Sequence, residues 1–198
     1  MQAAWEVARE KGLAGLSLGD VAAKVGMRVP SLYSYFASKN EIYDTMFAQG
    51  NEQFLDFIRS RREGLPRSAR QRLRAGFWIT FDFCTADPVR YQLLFQRTVP
   101  GFTPSESSYA RALEVLDLYR EELREMGLLG DQSDEDLLTA LSIGLVDQQI
   151  SNEPGGQRWA RLVDDVADMA YEHLSKKRRR RRAARQPEVE SRTSREGR

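Results

Sequence analysis

The stretch SLGDVAAKVGMRVPSLYSYFASKNEIYDTMF, from Ser17 to Phe47, decides the fold. Ser17 stands where a helix N-cap is wanted, and Asp20, three residues on, imitates a capping box. Val21, Ala22 and Val25 recur at helical spacing and predict the buried face of that short helix. Gly26 supplies a residue able to take positive φ, and Met27 follows as an apolar plug. Pro30 fits the first turn of the next helix, where its missing N–H costs nothing. Ser38 with Glu41 forms a second capping box and opens a helix expected from about 39 to 61. Two short helices across a glycine turn, followed by a freshly capped third, make the layout of a helix-turn-helix. In that motif the second helix lies in the major groove of DNA.

Working outward, a first helix is expected over 2–11, with Ala4, Val7 and Ala8 inward and Gly12 as a left-handed cap. Downstream, Gly64-Leu65-Pro66 breaks the chain. Helices follow over about 67–85, 88–96, 105–126, 133–151 and 157–175, the fourth of these capped by Ser133. Strand patterning is weak throughout, so the expected fold is all-α, with about nine helices. The expected domains are an N-terminal three-helix helix-turn-helix domain (1–47), a C-terminal helical ligand-binding and dimerisation domain (48–175), and a disordered basic tail (176–198).

The net charge of +1 conceals an asymmetry. Residues 176–198 hold eleven Lys or Arg against three Glu, while the rest of the chain is acidic on balance. Residues 1–47 carry five basic and five acidic groups, so DNA binding there must rest on placed contacts rather than bulk attraction. No apolar run approaches the ~20 residues of a membrane span, and no secretory signal is recognisable. Cys84 and His173 are the only residues of their types. An intrachain disulfide is impossible, and most metal sites and catalytic triads cannot be assembled. Neither catalytic residues nor a metal or cofactor are expected, and the cytoplasm is the expected location.

Arg28, Val29 and Pro30 stand at the entrance of the second motif helix, with Ser34 one turn on. An arginine there can meet a guanine edge with two hydrogen bonds, and Val29 and Pro30 a thymine methyl. Ser31, Tyr33 and Lys39 suit phosphates, which fix register without reading sequence. Leu32, Tyr35 and Phe36 are expected to pack this helix on the first two.

The pattern L-x-x-V-A-x-x-V-G-M-x-x-x-S-L-Y-x-Y-F-x-S-K-x-E-I resembles the DNA-binding region of tetracycline-repressor (TetR) family regulators. It is carried by Val21, Ala22, Gly26, Ser31, Leu32, Tyr33, Phe36, Ser38, Lys39 and Glu41. The resemblance covers residues 1 to about 50. It implies DNA contacts by Arg28, Val29, Pro30, Ser31, Tyr33, Tyr35 and Lys39, a carboxy-terminal domain that binds a small ligand, and a homodimer formed through the last two helices. Family members usually carry a short basic segment before the first helix. Here Met1 leads straight into Gln2-Ala3-Ala4-Trp5, so phosphate contacts from such an arm are not expected unless the natural start lies upstream.

Aromatic residues crowd the middle of the chain. Phe77, Phe81 and Cys84 share a helix face, and Tyr91, Phe95, Phe102, Tyr109 and Leu116 follow. They are read either as ordinary core or as the lining of a cavity for a small apolar or aromatic ligand, with 98–105 as its gate. The last two helices are too widely apolar for one domain's interior. Leu141, Gly144, Leu145, Trp159, Val163 and Val166 are the expected dimer residues. The function so implied is a ligand-responsive dimeric transcriptional regulator, a repressor at a palindromic operator. The rivals are a small-molecule-binding helical protein or helical enzyme without sequence-specific DNA binding, and a DNA-compacting protein acting through its basic tail.

Overall fold

Helix boundaries at the amino terminus fall on residues that satisfy free helix-end groups. In the computed structural model, which describes the backbone of residues 1–193 and side chains as far as Ala184, α1 spans Gln2–Gly15 and bends where Gly12 takes φ 76°. The Ser17 hydroxyl accepts from the Asp20 N–H and opens α2, Leu18–Lys24. Gly26, at φ 67°, makes the turn into α3, Val29–Leu32, which carries Pro30 in its first turn. Ser38 accepts from the Glu41 N–H at the start of α4, Lys39–Arg62. Glu41 reaches back to the N–H of Ala37, one residue before the cap, so the capping box is offset.

The described residues continue as α5 (Ala69–Ala86), α6 (Pro88–Phe95), α7 (Glu106–Glu125), α8 (Gln132–Asn152), a short 3-10 turn (Ala160–Leu162) and α9 (Val163–Thr193). They contain nine α-helices and no strand, as the all-α expectation required. None of these helices is long and apolar enough to cross a membrane. The chain divides into two compact units, one of residues 1–64 and 82–118, the other of 65–81 and 119 onward.

In the first unit α1 packs on α2, α4 and α6. Trp5, Val7, Ala8, Leu13, Leu16, Val21, Ala22, Leu32, Ile42, Tyr43, Met46 and Leu93 form its core. Polar groups fix the packing at the core's edge. The Tyr43 hydroxyl donates to the Leu13 carbonyl, the Trp5 indole donates to Gln49 at 2.8 Å, and Arg9 pairs with Asp87 at 2.6 Å. Gly50 lets α6 approach α4, because a Cβ there would stand 3.0 Å from Leu94. The loop expected to act as a gate is anchored here. Asp44 accepts from the Ser105 N–H at 2.7 Å and from the Ser105 and Ser108 hydroxyls, and Phe102 packs against the Tyr43 ring. Burial alone would raise the Asp44 carboxyl, but those three donors outweigh it and hold the group below its ordinary value.

Three local expectations differ from the structure. Val25 is exposed, because α2 ends at Lys24 and Val25 leaves helical geometry with φ −101° and ψ 8°, turning its side chain outward. Tyr35 is 70% exposed, since only Leu32 and Phe36 anchor this segment inward. The cap of α8 is Asp131, not Ser133: the Asp134 carboxylate accepts from the N–H groups of Gly130 and Asp131, and Ser133 donates to Asp131.

In the second unit, arginines of α5 are held by carboxylates of α7 and α9. Arg72 pairs with Glu122 and Glu125, and Arg70 and Arg74 both pair with Asp168. The buried Gln149 side chain accepts from the N–H groups of Trp159 and Ala160 and donates to the carbonyls of Glu153 and Gly156, closing the turn between α8 and α9. α9 runs far past 175. The expected disordered tail is helical through Thr193, and its residues 194–198 lie outside the described residues. The physical reason is tertiary. Lys177 and Arg181, one helical turn apart, reach the buried Asp134 at 2.6 and 2.7 Å and also pair with Asp131. The Asp134 carboxyl is thereby drawn down to about 2: burial would raise it, but Arg181, Lys177 and two backbone N–H groups prevail.

Candidate nucleic-acid interface

The α2–turn–α3 segment presents an exposed surface on a scaffold that its own sequence builds. Ser17 and Gly26 set the ends of α2 and the turn, while Leu32 is buried and Phe36 half-buried against the core. With those two facing inward, Arg28, Val29, Pro30, Ser31, Tyr33, Ser34 and Tyr35 are all exposed. Tyr33 is 51% exposed and Tyr35 70%, large aromatic surfaces left uncovered among the described residues. Val25 joins them at the edge of the patch. Helical spacing alone put it with Val21 and Ala22; the turn signal at Gly26, one residue on, could have shown that the helix was already ending.

Electrostatics single out Arg28. Among the basic groups of residues 1–47, Lys11 pairs with Asp20, Lys24 with Glu6 and Glu10, and Arg9 with Asp87. The Lys11 ammonium, joined by the Ser17 hydroxyl, lowers the Asp20 carboxyl, and the hydrogen bond to Glu10 raises Lys24. Lys39, expected on a phosphate, donates to the Ala14 carbonyl at 2.9 Å and lies over the Tyr43 ring at 5.4 Å. Arg28, the N-cap residue of α3, is exposed; its carbonyl accepts from the N–H groups of Ser31 and Leu32, but no hydrogen bond or ion pair of its side chain is found among the described residues. The Ser34 hydroxyl donates to the Ser31 carbonyl at 2.6 Å, so as it stands its proton is used locally.

The eight residues expected to line a ligand cavity do not all come together. Phe77 and Phe81 are buried in the second unit. Cys84 and Tyr91 are fully buried in the first, and Leu116 is half-buried there. Phe95, Phe102 and Tyr109 do meet, around an open groove of about 260 Å³ in the first unit that Phe47, Leu93, Leu94 and Val99 also line, with Arg97 and Thr103 among its polar groups. Of the expected dimer residues, Leu145 and Val163 are taken up by the second unit's own interior. Leu141, Trp159 and Val166 are half-buried, Gly144 is exposed, and Met169 nearby in sequence on α9 is 70% exposed.

Comparison with known proteins places the segment. Residues 1–46 match the family model of bacterial regulatory proteins, tetR family. Over 94 residues, 48% of this chain, the sequence is 31% identical to the HTH-type transcriptional activator FasR of Mycolicibacterium smegmatis, and the match spans 42% of that protein. Among solved structures, the regulatory protein SCO4313 superposes with a TM-score of 0.70 at 18% identity, over 85% of this chain and 91% of that one. The transcriptional regulator FadR from Bacillus subtilis, in complex with stearoyl-CoA, gives 0.61 at 17% identity, over 85% and 94%. At such identities the likeness is one of fold. What the comparisons show is that residues 1–46 match the tetR family of bacterial regulatory proteins and that the chain shares the fold of such regulators.

Proposed function

We propose that this chain is a cytoplasmic, ligand-responsive transcriptional regulator that binds a palindromic operator as a homodimer, and that it represses by occupying that operator. The observation that carries the reading is the exposed α3 surface, where no hydrogen bond, ion pair or ring contact of the Arg28, Tyr33 or Tyr35 side chain is found among the described residues. Arg28, Val29, Pro30 and Ser34 read base edges; Ser31, Tyr33, Tyr35 and Lys39 hold phosphates, Lys39 by exchanging the Ala14 carbonyl for DNA. Division of the chain at about 47 into a reading domain and a regulatory domain is part of this proposal. A twofold dimer sets two such helices about one turn, ~10 bp, or a multiple apart. Operator occupancy is shared by repressors and activators, so the activator name of the FasR relative leaves the binding step untouched, and a reporter assay distinguishes the two signs.

The ligand reading rests on the groove formed by Phe95, Phe102 and Tyr109. An apolar chain suits that lining, and FadR, with its stearoyl-CoA, makes a long-chain acyl thioester the first probe. Ligand releases DNA only if it prefers the dimer shape that misfits the operator, by a coupling of ~1–3 kcal/mol. The test is selection from a random duplex library by the intact protein, followed by mobility shifts with Tyr33→Ala and Arg28→Ala. A selected palindrome that both variants bind much more weakly supports the reading. Failure to enrich any sequence, or undiminished binding by both, refutes it.

A further inference from the structure

The basic run Lys176–Arg182 is not used by the proposed operator reading, and its arrangement on α9 is specific. An α-helix turns ~100° per residue, so Lys177 and Arg181 share one face. Both are committed there: Asp134 and Asp131 accept from each of them, and Ser133 accepts from Lys177. The other five cations, Lys176, Arg178, Arg179, Arg180 and Arg182, fall on the remaining arc, centred roughly opposite the latch. All five are exposed, and no acidic partner of theirs is found among the described residues. Arg178 and Arg182 also border an open groove of about 250 Å³ beside the 127–130 loop. The latch does two things at once: it neutralises Lys177 and Arg181 and keeps the other five cations on a helix, spread over roughly 200° of its surface, rather than on a solvated coil.

We infer that the outer face of α9 at Lys176–Arg182 is a second DNA-binding surface, which holds the phosphate backbone of duplex DNA without reading sequence. Five unneutralised cations within about 10 Å of helix suit a dense row of anions, and a duplex carries one charge per ~1.7 Å of axis. Arginine, which supplies four of the five, suits phosphate by its bidentate fork. An anionic membrane is the poorer fit. A helix that lies on lipid needs an apolar face with large side chains, and residues 176–193 offer only Ala183, Ala184 and Val189.

The inference stands whether or not α3 selects an operator, and its test uses the full chain. Lys176, Arg178, Arg179, Arg180 and Arg182 are changed together to Gln, a good helix former, leaving Lys177 and Arg181 in place. Binding to a 30-bp duplex of arbitrary sequence is followed by fluorescence anisotropy from 50 to 200 mM KCl, with helicity checked by circular dichroism. The expected result is unchanged helicity, at least tenfold weaker binding at 50 mM, and a salt slope smaller by roughly 2–4, about 0.9 for each phosphate that is no longer neutralised. Tyr33→Ala, by contrast, leaves most of this arbitrary-sequence binding in place, so failure here and failure of operator reading are distinguishable. Unchanged affinity and slope in the Gln variant overturn the inference. So does a variant that keeps duplex binding but no longer binds phosphatidylglycerol vesicles that the parent protein binds.

Discussion

Arg28 illustrates how a single side chain acquires a role by elimination. The other basic groups of residues 1–47 are each engaged within the protein, by carboxylates or, for Lys39, by the Ala14 carbonyl. Arg28→Ala should therefore reduce discrimination between a selected site and a scrambled duplex by ~10–100-fold, the worth of a bidentate hydrogen bond to a base, with little change in stability. Competition binding measures this, and equal weakening on both duplexes would reassign Arg28 to phosphate. Lys39→Ala should behave differently. It removes a link from α4 to the end of α1 as well as a charge, so urea unfolding should show a loss of about 1 kcal/mol alongside weaker binding. That link was invisible in the sequence, because it joins residues 25 apart. The exposure of Tyr35 was hidden for a related reason. A short helix with three large apolar residues leaves open which of them face inward until the neighbouring core exists, and only Leu32 and Phe36 turned out to do so.

At the scale of elements, the boundaries most legible in the sequence were those written by local chemistry. Ser17, Gly26, Pro30 and Ser38 each satisfy or permit a specific backbone geometry within three residues of themselves, and each sits in the expected place. Gly26→Ala tests this most simply. No atom lies within 4 Å of the added Cβ, so the whole cost is the positive φ, about 1 kcal/mol of stability, read as a lower Tm. The length of α9 was not legible, because the groups that hold its basic extension come from Asp131 and Asp134, more than forty residues away. Local composition alone argued for disorder, and a buried carboxylate reversed it. The folded Asp134 lies at about 2, below the ordinary carboxylate value near 3.8, so its contribution is full above about pH 4 and fades as pH falls towards 2. Helicity of the 176–184 segment should fray over that acid window, and Asp134→Asn should shift fraying to neutral pH. Hydrogen exchange along α9 measures both, and unaltered protection in the variant would remove the latch from the explanation.

For the whole molecule, the sequence spoke of dimer and ligand sites as kinds of surface rather than as particular residues. Wide apolar faces on α8 and α9 pointed to a partner beyond the domain's own core, yet Leu145 and Val163 serve the protomer's interior. Gly144 has open space around its Cβ position, so Gly144→Leu should leave each protomer folded. If α8 faces a second copy, the same change should weaken the dimer at least tenfold, seen by sedimentation velocity; an unchanged dimer would move the interface elsewhere. Likewise the aromatic cluster resolved into separate sets, of which Phe95, Phe102 and Tyr109 border an open groove while Cys84 and Tyr91 are core.

All of these levels converge on whether α3 reads DNA. The most direct measurement is duplex selection with the intact protein, followed by comparison of the enriched site with a scrambled one for the parent and for Arg28→Ala. Reading by α3 predicts a palindromic site with half-sites about one turn or more apart, bound at least a hundredfold more tightly than the scrambled duplex, and a preference that largely vanishes in the variant. Enrichment of no site, or a preference that survives removal of Tyr33 and Arg28 together, would contradict it.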